Sequence, residues 1–203
     1  MARTSLAIQY VAQCDSTNAQ LYRSSKQHHT LLVAETQTQG RGQFNRTWLS
    51  QQGDLIFSLG LRLPLEHIPA LSIRVGLALA KVLTQHDCHI QLKLPNDLIG
   101  VTSTRQGKLA GILIQTNPTE HGKYRWVVIG IGFNVASRSQ VDKQTAPSAF
   151  DPIGLSDLNP AWGPDCIETG AREALLMTLV DRILQALESV QLLPDSELAR
   201  QWN

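Results

Sequence analysis

The run from Tyr124 to Asn134 constrains the fold most, because it is almost continuously apolar over the length of one strand. A strand that is apolar on both faces lies inside a sheet rather than at its edge. Gly130 and Gly132 interrupt the run and remove side chains along one face. That leaves room for a flat group against the sheet. The run therefore predicts a central strand with space beside one of its faces.

The remaining segments predict a sheet with helices packed on it. Further strands are expected at 6–13, 31–37, 54–63, 90–94 and 107–115. Pro95 ends the fourth of these, and no element is assigned to 96–100. Helices are expected from the capping residues 15–18 onward, over 68–85 with Pro69 near the first turn, over 167–190 and over 194–203.

Residues 137–166 hold four prolines and are expected to form an extended, irregular segment before the closing helices at 167–203. The pattern as a whole predicts an α+β fold in a single domain, 1–203, with a mixed, mostly antiparallel and hairpin-linked sheet.

Composition excludes several classes of protein. Of 203 residues, 42% are hydrophobic and 17% charged, which is typical of a globular chain. The net charge of +1 gives no reason to expect nucleic acid or an acidic membrane as a partner. Three widely spaced cysteines make neither a disulfide framework nor a zinc site. With no signal peptide and no apolar span, the sequence predicts a soluble, cytoplasmic protein.

Polar side chains interrupt the strand and helix patterns in five clusters. These are Ser16-Thr17-Asn18, Gln37 with Arg41, Lys93 with Asn96-Asp97, Lys108, and Asn134. Each cluster alone has a simple structural interpretation. The first caps a helix, Pro95-Asn96-Asp97 is a good turn, and a lysine at a strand start is usually solvated.

The segment between the second and third predicted strands, residues 38–53, is here named the glycine–arginine loop. It contains Gly40-Arg41-Gly42, then Arg46 and Trp48. Glycine lets the backbone approach a ligand closely, and arginine offers a planar set of donors to carboxylate or phosphate. By itself the loop is equally consistent with a surface hairpin whose arginines are solvated.

Taken together and in order, the clusters resemble the biotin–protein ligases. The resemblance is carried by Asp15-Ser16-Thr17-Asn18, by Glu35 to Gly42 with Arg46 and Trp48, by Lys93-Leu94-Pro95-Asn96-Asp97, by Lys108 to Leu113, and by Gly130 to Asn134. The resemblance is strong over residues 6–136. In the closing helices it is limited to their general helical character, without a matching motif. Five motifs in one order are far more specific than a glycine-rich loop alone.

The resemblance implies the fold shared by biotin and lipoate ligases and class II aminoacyl-tRNA synthetases. It implies that biotin is activated with ATP and Mg²⁺ to biotinyl-5′-adenylate, and that biotin is then transferred to a lysine of a biotin carboxyl carrier protein. Homodimers are frequent in the family, so a homodimer is possible here. Such chemistry needs positioned charges and excluded water rather than a nucleophilic Ser or Cys.

The resemblance also assigns roles to individual residues. The biotin-binding set is Ser16, Thr17, Asn18, Gln37, Gly40, Arg41, Gly42, Gln43, Lys108 and Gly111. The ATP-binding set is Arg41, Arg46, Trp48, Lys93, Asn96, Lys108 and Asn134, with Trp48 near the adenine. Arg41, Lys108 and Asp97 are the implied catalytic residues, and Asp97 is also the implied Mg²⁺ ligand.

The sequence departs from the family pattern at three positions and at both ends. Gln43 stands where an arginine is frequent, Asn45 where glycine is common, and Leu94 where tryptophan is usual. The missing arginine at position 43 is expected to weaken retention of the adenylate without abolishing activity. Neither a helix-turn-helix domain before residue 6 nor the small β-barrel domain after Trp202 is expected, so no repressor function is expected either.

Two other functions stay open from the sequence. Lipoate–protein ligases and octanoyl transferases share the fold and also modify a carrier lysine. A non-catalytic biotin- or nucleotide-binding module is the second alternative, since the loop is atypical at Gln43.

Overall fold

The computed structural model describes residues 5–24, 28–117, 122–137, 151–163 and 170–188. The strands are β1 (Ala7–Cys14), β2 (Thr30–Gln37), β3 (Leu55–Pro64), β4 (Ile90–Lys93), β5 (Asp97–Val101), β6 (Gln106–Thr116) and β7 (Tyr124–Phe133). The helices are α1 (Thr17–Arg23), α2 (Leu71–Thr84), α3 (Leu155–Leu158) and α4 (Ala171–Glu188). Single 3₁₀ turns occupy Gln43–Asn45, Leu65–His67 and Pro160–Trp162.

The strands form one sheet in the order β1-β2-β3-β7-β6-β5-β4. β1 and β2 are parallel and are joined through α1, whereas every other neighbouring pair is antiparallel. The prediction of an α+β fold with a mixed, mostly antiparallel sheet is therefore confirmed. β7 is the middle strand, as its continuous apolar run predicts.

One face of the sheet carries the larger core. Alternate residues of β3 and β7, such as Phe57 and Ile129, point toward α2 and α4 and are fully buried there. α4 contributes the apolar stripe that its sequence predicts, including Leu179 and Ile183. Gly76 of α2 lies so close to the sheet that a Cβ there would meet Leu92 at 3.1 Å. The helices therefore pack tightly on this side.

The opposite face is covered by α1 over part of its area. Leu21 of α1 packs on Leu32, Trp126 and Val128, which form a small core of their own. Farther along the same face, β7 carries two glycines, with Gly130 paired to Ser58 and Gly132 paired to Ile56 of β3. Because the glycines carry no side chains, the α1 face has open space beside the start of α1.

Three local features differ from the sequence predictions. Residues 97–101 form strand β5, which pairs with β4 and β6; only Leu98 and Ile99 are strongly apolar there, so the pattern was too short to detect. α2 begins at Leu71 after a left-handed Ala70 with φ 53°, which leaves Pro69 outside the helix. The segment expected to be irregular includes α3 and a 3₁₀ turn within 151–163.

Some predictions fall outside the described residues. The final helix at 194–203 and most of the hairpin connection at 118–121 belong to this group. Within the part of the chain that the structure describes, no helix is long and apolar enough to cross a membrane.

Asp54 joins the start of β3 to the end of β7. Its carboxylate accepts hydrogen bonds from the backbone N–H of Gln51 at 2.7 Å and of Val135 at 3.1 Å. The residue is 2% exposed, so both bonds lie in a region that water hardly reaches. The contact therefore fixes the return of the glycine–arginine loop onto the central strand.

We predict that Asp54→Ala destabilises the fold by about 2–3 kcal/mol, because a buried N–H without an acceptor costs roughly 1–3 kcal/mol. Urea unfolding followed by circular dichroism measures the change. Asp54→Asn keeps one acceptor oxygen and should fall between wild type and Asp54→Ala. A wild-type midpoint in both variants would show that the carboxylate does not hold the loop.

Candidate functional site

A cleft opens on the α1 face beside the glycine–arginine loop. It is open to solvent, and the empty space in it, open solvent included, amounts to about 440 Å³. The residues that line it come from α1 and its cap, β2, the loop, the three central strands and the turn between β4 and β5. They are Ser16, Thr17, Asn18, Gln37, Arg41, Gly42, Gln43, Trp48, Ile56, Asn96, Lys108, Gly111, Ile112, Leu113, Gly130, Ile131 and Gly132.

Most of the residues singled out in the sequence therefore meet at one place, although they are spread from Ser16 to Gly111. Five of them do not line the cleft. Gly40 is buried within the loop, and Arg46 is exposed on it. Lys93 and Asp97 are paired across β4 and β5, and Asn134 follows β7. The structure thus brings together eleven of the sixteen candidates and sets the other five around them.

The start of α1 forms one wall of the cleft. Ser16 caps the helix, since its hydroxyl accepts from the backbone N–H of Ala19. The next backbone N–H, that of Thr17, donates to Gln37 Oε1 at 2.8 Å. A backbone N–H can only donate, so this bond fixes the Gln37 carboxamide with its oxygen toward α1. Ser16, Thr17 and Gln37 are therefore held in one arrangement.

Asn18 occupies the space that Gly130 leaves open. A Cβ at position 130 would meet Asn18 Oδ1 at 2.0 Å. The Asn18 amide donates to the carbonyl of Leu113 at 3.2 Å and to Gln115 Oε1 at 3.0 Å. Its oxygen lies 2.7 Å from the hydroxyl of Ser58, which is wholly buried on β3. Asn18 therefore links α1 to three central strands.

Ser58 and Gln115 were not among the residues picked from the sequence. Ser58 carried a usable signal, because it is a single polar residue inside the apolar run from Leu55 to Leu59. Gln115 carried none, since a polar residue near the end of a strand is ordinary.

Backbone hydrogen bonds close the glycine–arginine loop on itself. Trp48 N–H donates to the carbonyl of Gly40 at 2.9 Å, and Gly42 N–H donates to that of Arg46 at 2.7 Å. A Cβ at Gly40 would meet Trp48 O at 2.4 Å, so the turn requires glycine there. Arg41 bridges to Thr47 through its backbone and keeps an exposed side chain at the edge of the cleft.

The indole of Trp48 lies flat against the glycines of β6 and β7. A Cβ at Gly132 would meet Trp48 Cε2 at 2.3 Å, and one at Gly111 would meet its Cζ3 at 3.1 Å. The predicted room for a flat group is present, and in this structure the protein's own indole fills it. The Nε1 of this indole is buried and has no hydrogen-bond partner among the described residues.

Lys108 connects the indole to a carboxylate. Its ammonium lies 5.5 Å from the centre of the Trp48 ring and 2.8 Å from Asp97 Oδ1. Both partners of the ion pair are mostly buried, with side chains 24% and 17% exposed. Asp97 is therefore next to the cleft through Lys108 rather than in its lining. The described residues include no group of three or more His, Cys, Asp or Glu side chains suited to a metal ion.

The two candidate asparagines donate to backbone carbonyls. Asn96 Nδ2 donates to the carbonyl of Ile112 at 3.1 Å, next to the cleft. Asn134 is 4% exposed, and its Nδ2 donates to the carbonyl of Lys108 at 3.0 Å and to that of Ile153 at 3.3 Å. Both amides thus hold β6, the strand that carries Lys108 and Gly111, in place.

Two titratable groups, Cys14 and Asp15, directly precede Ser16 in the sequence. Burial, together with the negative charge of Asp15, raises the pKa of the Cys14 thiol above its ordinary value, although Arg23 opposes this. The backbone N–H of Ser16 and the ion pair with Arg23 lower the pKa of Asp15. At neutral pH the thiol is protonated and the carboxylate is charged, so Cys14 is not an activated nucleophile.

We predict that Gly132→Ala expels the Trp48 indole, because a rigid strand cannot move the added methyl away. Overpacking of this kind costs about 1–3 kcal/mol. Tryptophan fluorescence should shift to longer wavelength and become more easily quenched by acrylamide. In a Trp48→Phe background the same substitution should leave the emission of the other tryptophans unchanged. An unshifted spectrum with Trp48 present would contradict the packing described.

Comparison with protein-family models gives one match over the part of the chain that contains the cleft. Residues 10–134 match the biotin/lipoate A/B protein ligase family. The chain is 34% identical over 189 residues to the biotin–[acetyl-CoA-carboxylase] ligase of Mycobacterium tuberculosis, covering 86% of this chain and 63% of that protein. It is 33% identical to the bifunctional ligase/repressor BirA of Bacillus spizizenii, covering 85% and 51%. The chain thus spans less than two thirds of the length of either relative.

Solved structures give the same fold. The biotin protein ligase of Aquifex aeolicus, solved in complex with biotin and ATP, superposes with a TM-score of 0.66 at 25% identity and covers 90% of this chain and 70% of that chain. A biotin protein ligase from Leishmania major, in complex with biotin, gives a TM-score of 0.69 at 21% identity over 96% and 79%, which supports the fold alone. With its family motifs gathered in one cleft, this chain belongs to the biotin/lipoate A/B protein ligase family.

Proposed function

We propose that the chain activates biotin with ATP to form biotinyl-5′-adenylate and transfers the biotin to a lysine of a biotin carboxyl carrier protein. The observation that carries this proposal is the composition of the cleft. Neutral hydroxyl and amide groups of Ser16, Thr17 and Gln37 line it together with two cationic side chains, those of Arg41 and Lys108. Biotin is neutral and hydrogen-bonding at its ureido ring and anionic at its carboxylate, so the two sets of groups match its two ends.

The first step joins two anions. A carboxylate oxygen of biotin attacks the α-phosphorus of ATP, the bond to the outer phosphates breaks, and pyrophosphate leaves. Arg41 and Lys108 offset the repulsion between carboxylate and phosphate and the charge that grows during attack. The ion pair with Asp97 aims Lys108 along the Trp48 and Gly111 side of the cleft. Asp97 then acts on Lys108 rather than on the substrate.

The second step needs no nucleophile from the enzyme. The neutral amine of the carrier lysine attacks the acyl carbon of the adenylate, AMP leaves, and the amine proton is released. The protonated Cys14 thiol is consistent with this route. Because the indole of Trp48 and the closed backbone of the loop cover the glycine surface, they also protect the anhydride from water.

The residues proposed to bind ATP, besides Arg41 and Lys108, are Arg46, Trp48, Lys93, Asn96 and Asn134. Of these five, Trp48 and Asn96 line the cleft. The packing of the Trp48 indole is consistent with a base stacked near it. Asn96 and Asn134 contribute indirectly, because they hold β6 in place. Asn96 donates to the carbonyl of Ile112, and Asn134 donates to that of Lys108. Contacts of Arg46 and Lys93 with phosphate stay predictions.

The described residues form no cluster of ligands that would bind Mg²⁺ on its own. Asp97 is one carboxylate, and it is engaged by Lys108 at 2.8 Å. Mg²⁺ prefers phosphate oxygens and water with only one or two carboxylates. We therefore expect Mg²⁺ to arrive with ATP, and Asp97 as its ligand stays a prediction. The homodimer implied by the family resemblance likewise stays a prediction.

The direct test is mass spectrometry of a biotin carboxyl carrier domain after incubation with this chain, biotin, Mg²⁺ and ATP. A mass increase equal to one biotinyl group is the expected result. Biotin binding without carrier modification would favour a non-catalytic binding module. Titration calorimetry with lipoate discriminates the other alternative, since binding of lipoate but not of biotin would favour a lipoate ligase.

We predict that Arg41→Ala and Lys108→Ala each reduce adenylate formation by about 100-fold or more, which is typical for the loss of one group that stabilises developing charge. Exchange of labelled pyrophosphate into ATP in the presence of biotin measures the step. Lys81→Ala is the matched control, because it removes an exposed lysine of α2 from outside the cleft. Full exchange activity in either cleft variant would refute the assignment.

We predict that Gln43→Arg slows release of the adenylate about tenfold or more, because Gln43 lines the cleft and a charge-assisted hydrogen bond is worth roughly 1.5–3 kcal/mol. Rapid gel filtration followed by quantification of bound adenylate measures the off-rate. Gln43→Met, similar in length but uncharged, should leave it near the wild-type value. Equal rates in Gln43→Arg and wild type would show that position 43 does not contact the phosphate.

A further inference from the structure

A bulge in β6 decides the face of the sheet on which Lys108 lies. Two consecutive residues of β5 pair with Ala110 and Lys108 of β6, which are two positions apart, so Leu109 is an extra residue in β6. Leu109 and Ala110 are both buried in the core under α2 and α4. Side chains of a regular strand alternate between faces, so without the extra residue Lys108 would share the face of Ala110. The bulge therefore turns Lys108 to the α1 face.

The far end of the Lys108 side chain agrees with this placement. A Cβ at Gly111 would meet Lys108 Cε and Nζ, each at 3.4 Å. Gly111 lines the cleft and is paired with Gly132 of β7. Three positions separate Lys108 from Gly111, and an odd separation places two residues on one face only when the strand contains an extra residue between them. The bulge is therefore required for the lysine at position 108 to reach the cleft.

Residues 151–157 hold the bulge from the side that β7 leaves open. β7 ends before it reaches Lys108, since its last pair with β6 is at Ala110. Beyond that point, Lys108 N–H donates to the carbonyl of Asp151 at 2.8 Å, and Lys108 O accepts from the N–H of Ile153 at 3.0 Å. The 151–157 segment therefore takes the place of β7 beside the bulge, where it runs parallel to β6.

Asp157 ties this segment to the turn from which β6 begins. Its Oδ2 accepts from the N–H of Gly154 at 2.8 Å and lies 2.7 Å from Arg105 Nη2. Its Oδ1 accepts from the hydroxyl of Ser137 at 2.6 Å. Arg105 directly precedes β6, and the Asp157 side chain is 14% exposed. One carboxylate therefore joins the 151–157 segment to the start of β6 and to the residues that follow β7.

We propose that Asp157 is a positioning residue that keeps the Lys108 ammonium in the cleft, because it holds the 151–157 segment against the bulge in β6. This inference rests on the proposed function, in which Lys108 binds the carboxylate of biotin. Asp157 does not line the cleft and acts through Lys108. The segment lies outside residues 10–134, so the match to the family gives it no role.

Titration calorimetry with biotin and with biotinamide, its neutral amide, tests the proposal. Wild type should bind biotin about 100-fold more tightly, because only the carboxylate forms charge-assisted hydrogen bonds with Arg41 and Lys108. Asp157→Ala should weaken biotin about tenfold and biotinamide less than about twofold. In a Lys108→Ala background, Asp157→Ala should leave the affinity for biotin unchanged, since the lysine through which it acts is absent.

Adenylate formation gives a second readout. The kcat of pyrophosphate exchange should fall about tenfold or more in Asp157→Ala, since a small displacement of a catalytic charge is costly. Asp157→Glu should restore most of the exchange rate and of the preference for biotin, because glutamate is the usual residue at this position of a capping box. Asp157→Asn keeps one acceptor oxygen and replaces Asp157→Ala if that variant does not fold, with a smaller loss that is again confined to biotin.

Glu173→Ala is the matched control. Glu173 also lies in the first turn of a helix and pairs with an arginine, Arg172, at 3.3 Å, but it does not line the cleft. Both affinities and the exchange rate should stay at the wild-type level in this variant.

The outcomes separate this inference from the proposed function. Asp157 is not a positioning residue if Asp157→Ala weakens biotin and biotinamide equally, weakens biotin equally with and without Lys108, or changes neither affinity. A wild type that binds biotin no more tightly than biotinamide overturns the inference as well. A wild type that binds biotin but exchanges no pyrophosphate overturns the proposed activation of biotin alone, and one that binds no biotin overturns both.

Discussion

The site depends on a strip of β7 that has no side chains on the α1 face. Gly130 and Gly132 lie opposite Ser58 and Ile56 of β3, and the antiparallel register places Gly111 of β6 beside Gly132. Successive residues of a strand point to opposite faces, so both glycines lie on the α1 face while Ile131 between them packs in the core under the helices α2 and α4. One strand thereby supplies the apolar centre of the fold and the floor of the cleft.

The residues above the strip are held by polar contacts and by packing on the glycines. Asn18 stands on Gly130 and binds β6, the Trp48 indole stands on Gly132, and Asp54 ties the start of β3 to the end of β7. Buried polar groups of this kind are costly unless every partner is in place, so the arrangement tolerates few geometries. A rigid strand at the base and a hydrogen-bonded wall at α1 preorganise the site before any ligand arrives.

How far the sequence predicts this structure depends on the length of each pattern. The continuous run in β7 and the apolar stripe of α4 were long enough to identify, and the order of motifs located most of the cleft. β5 was missed because only two strongly apolar residues mark it. Pairings between distant residues, such as Lys108 with Asp97 or Ser58 with Thr17, depend on strand register and leave no local trace.

The place of Trp48 changes what an affinity for this cleft means. Its indole already rests on Gly132 with a buried N–H that has no partner among the described residues. Any molecule that lies flat against that glycine must exchange with the indole instead of filling an empty space. The measured binding energy is then the difference between two occupants, one of them covalently part of the chain. Changes to the loop that weaken the indole's own packing would tighten ligand binding without adding a single new contact to the ligand.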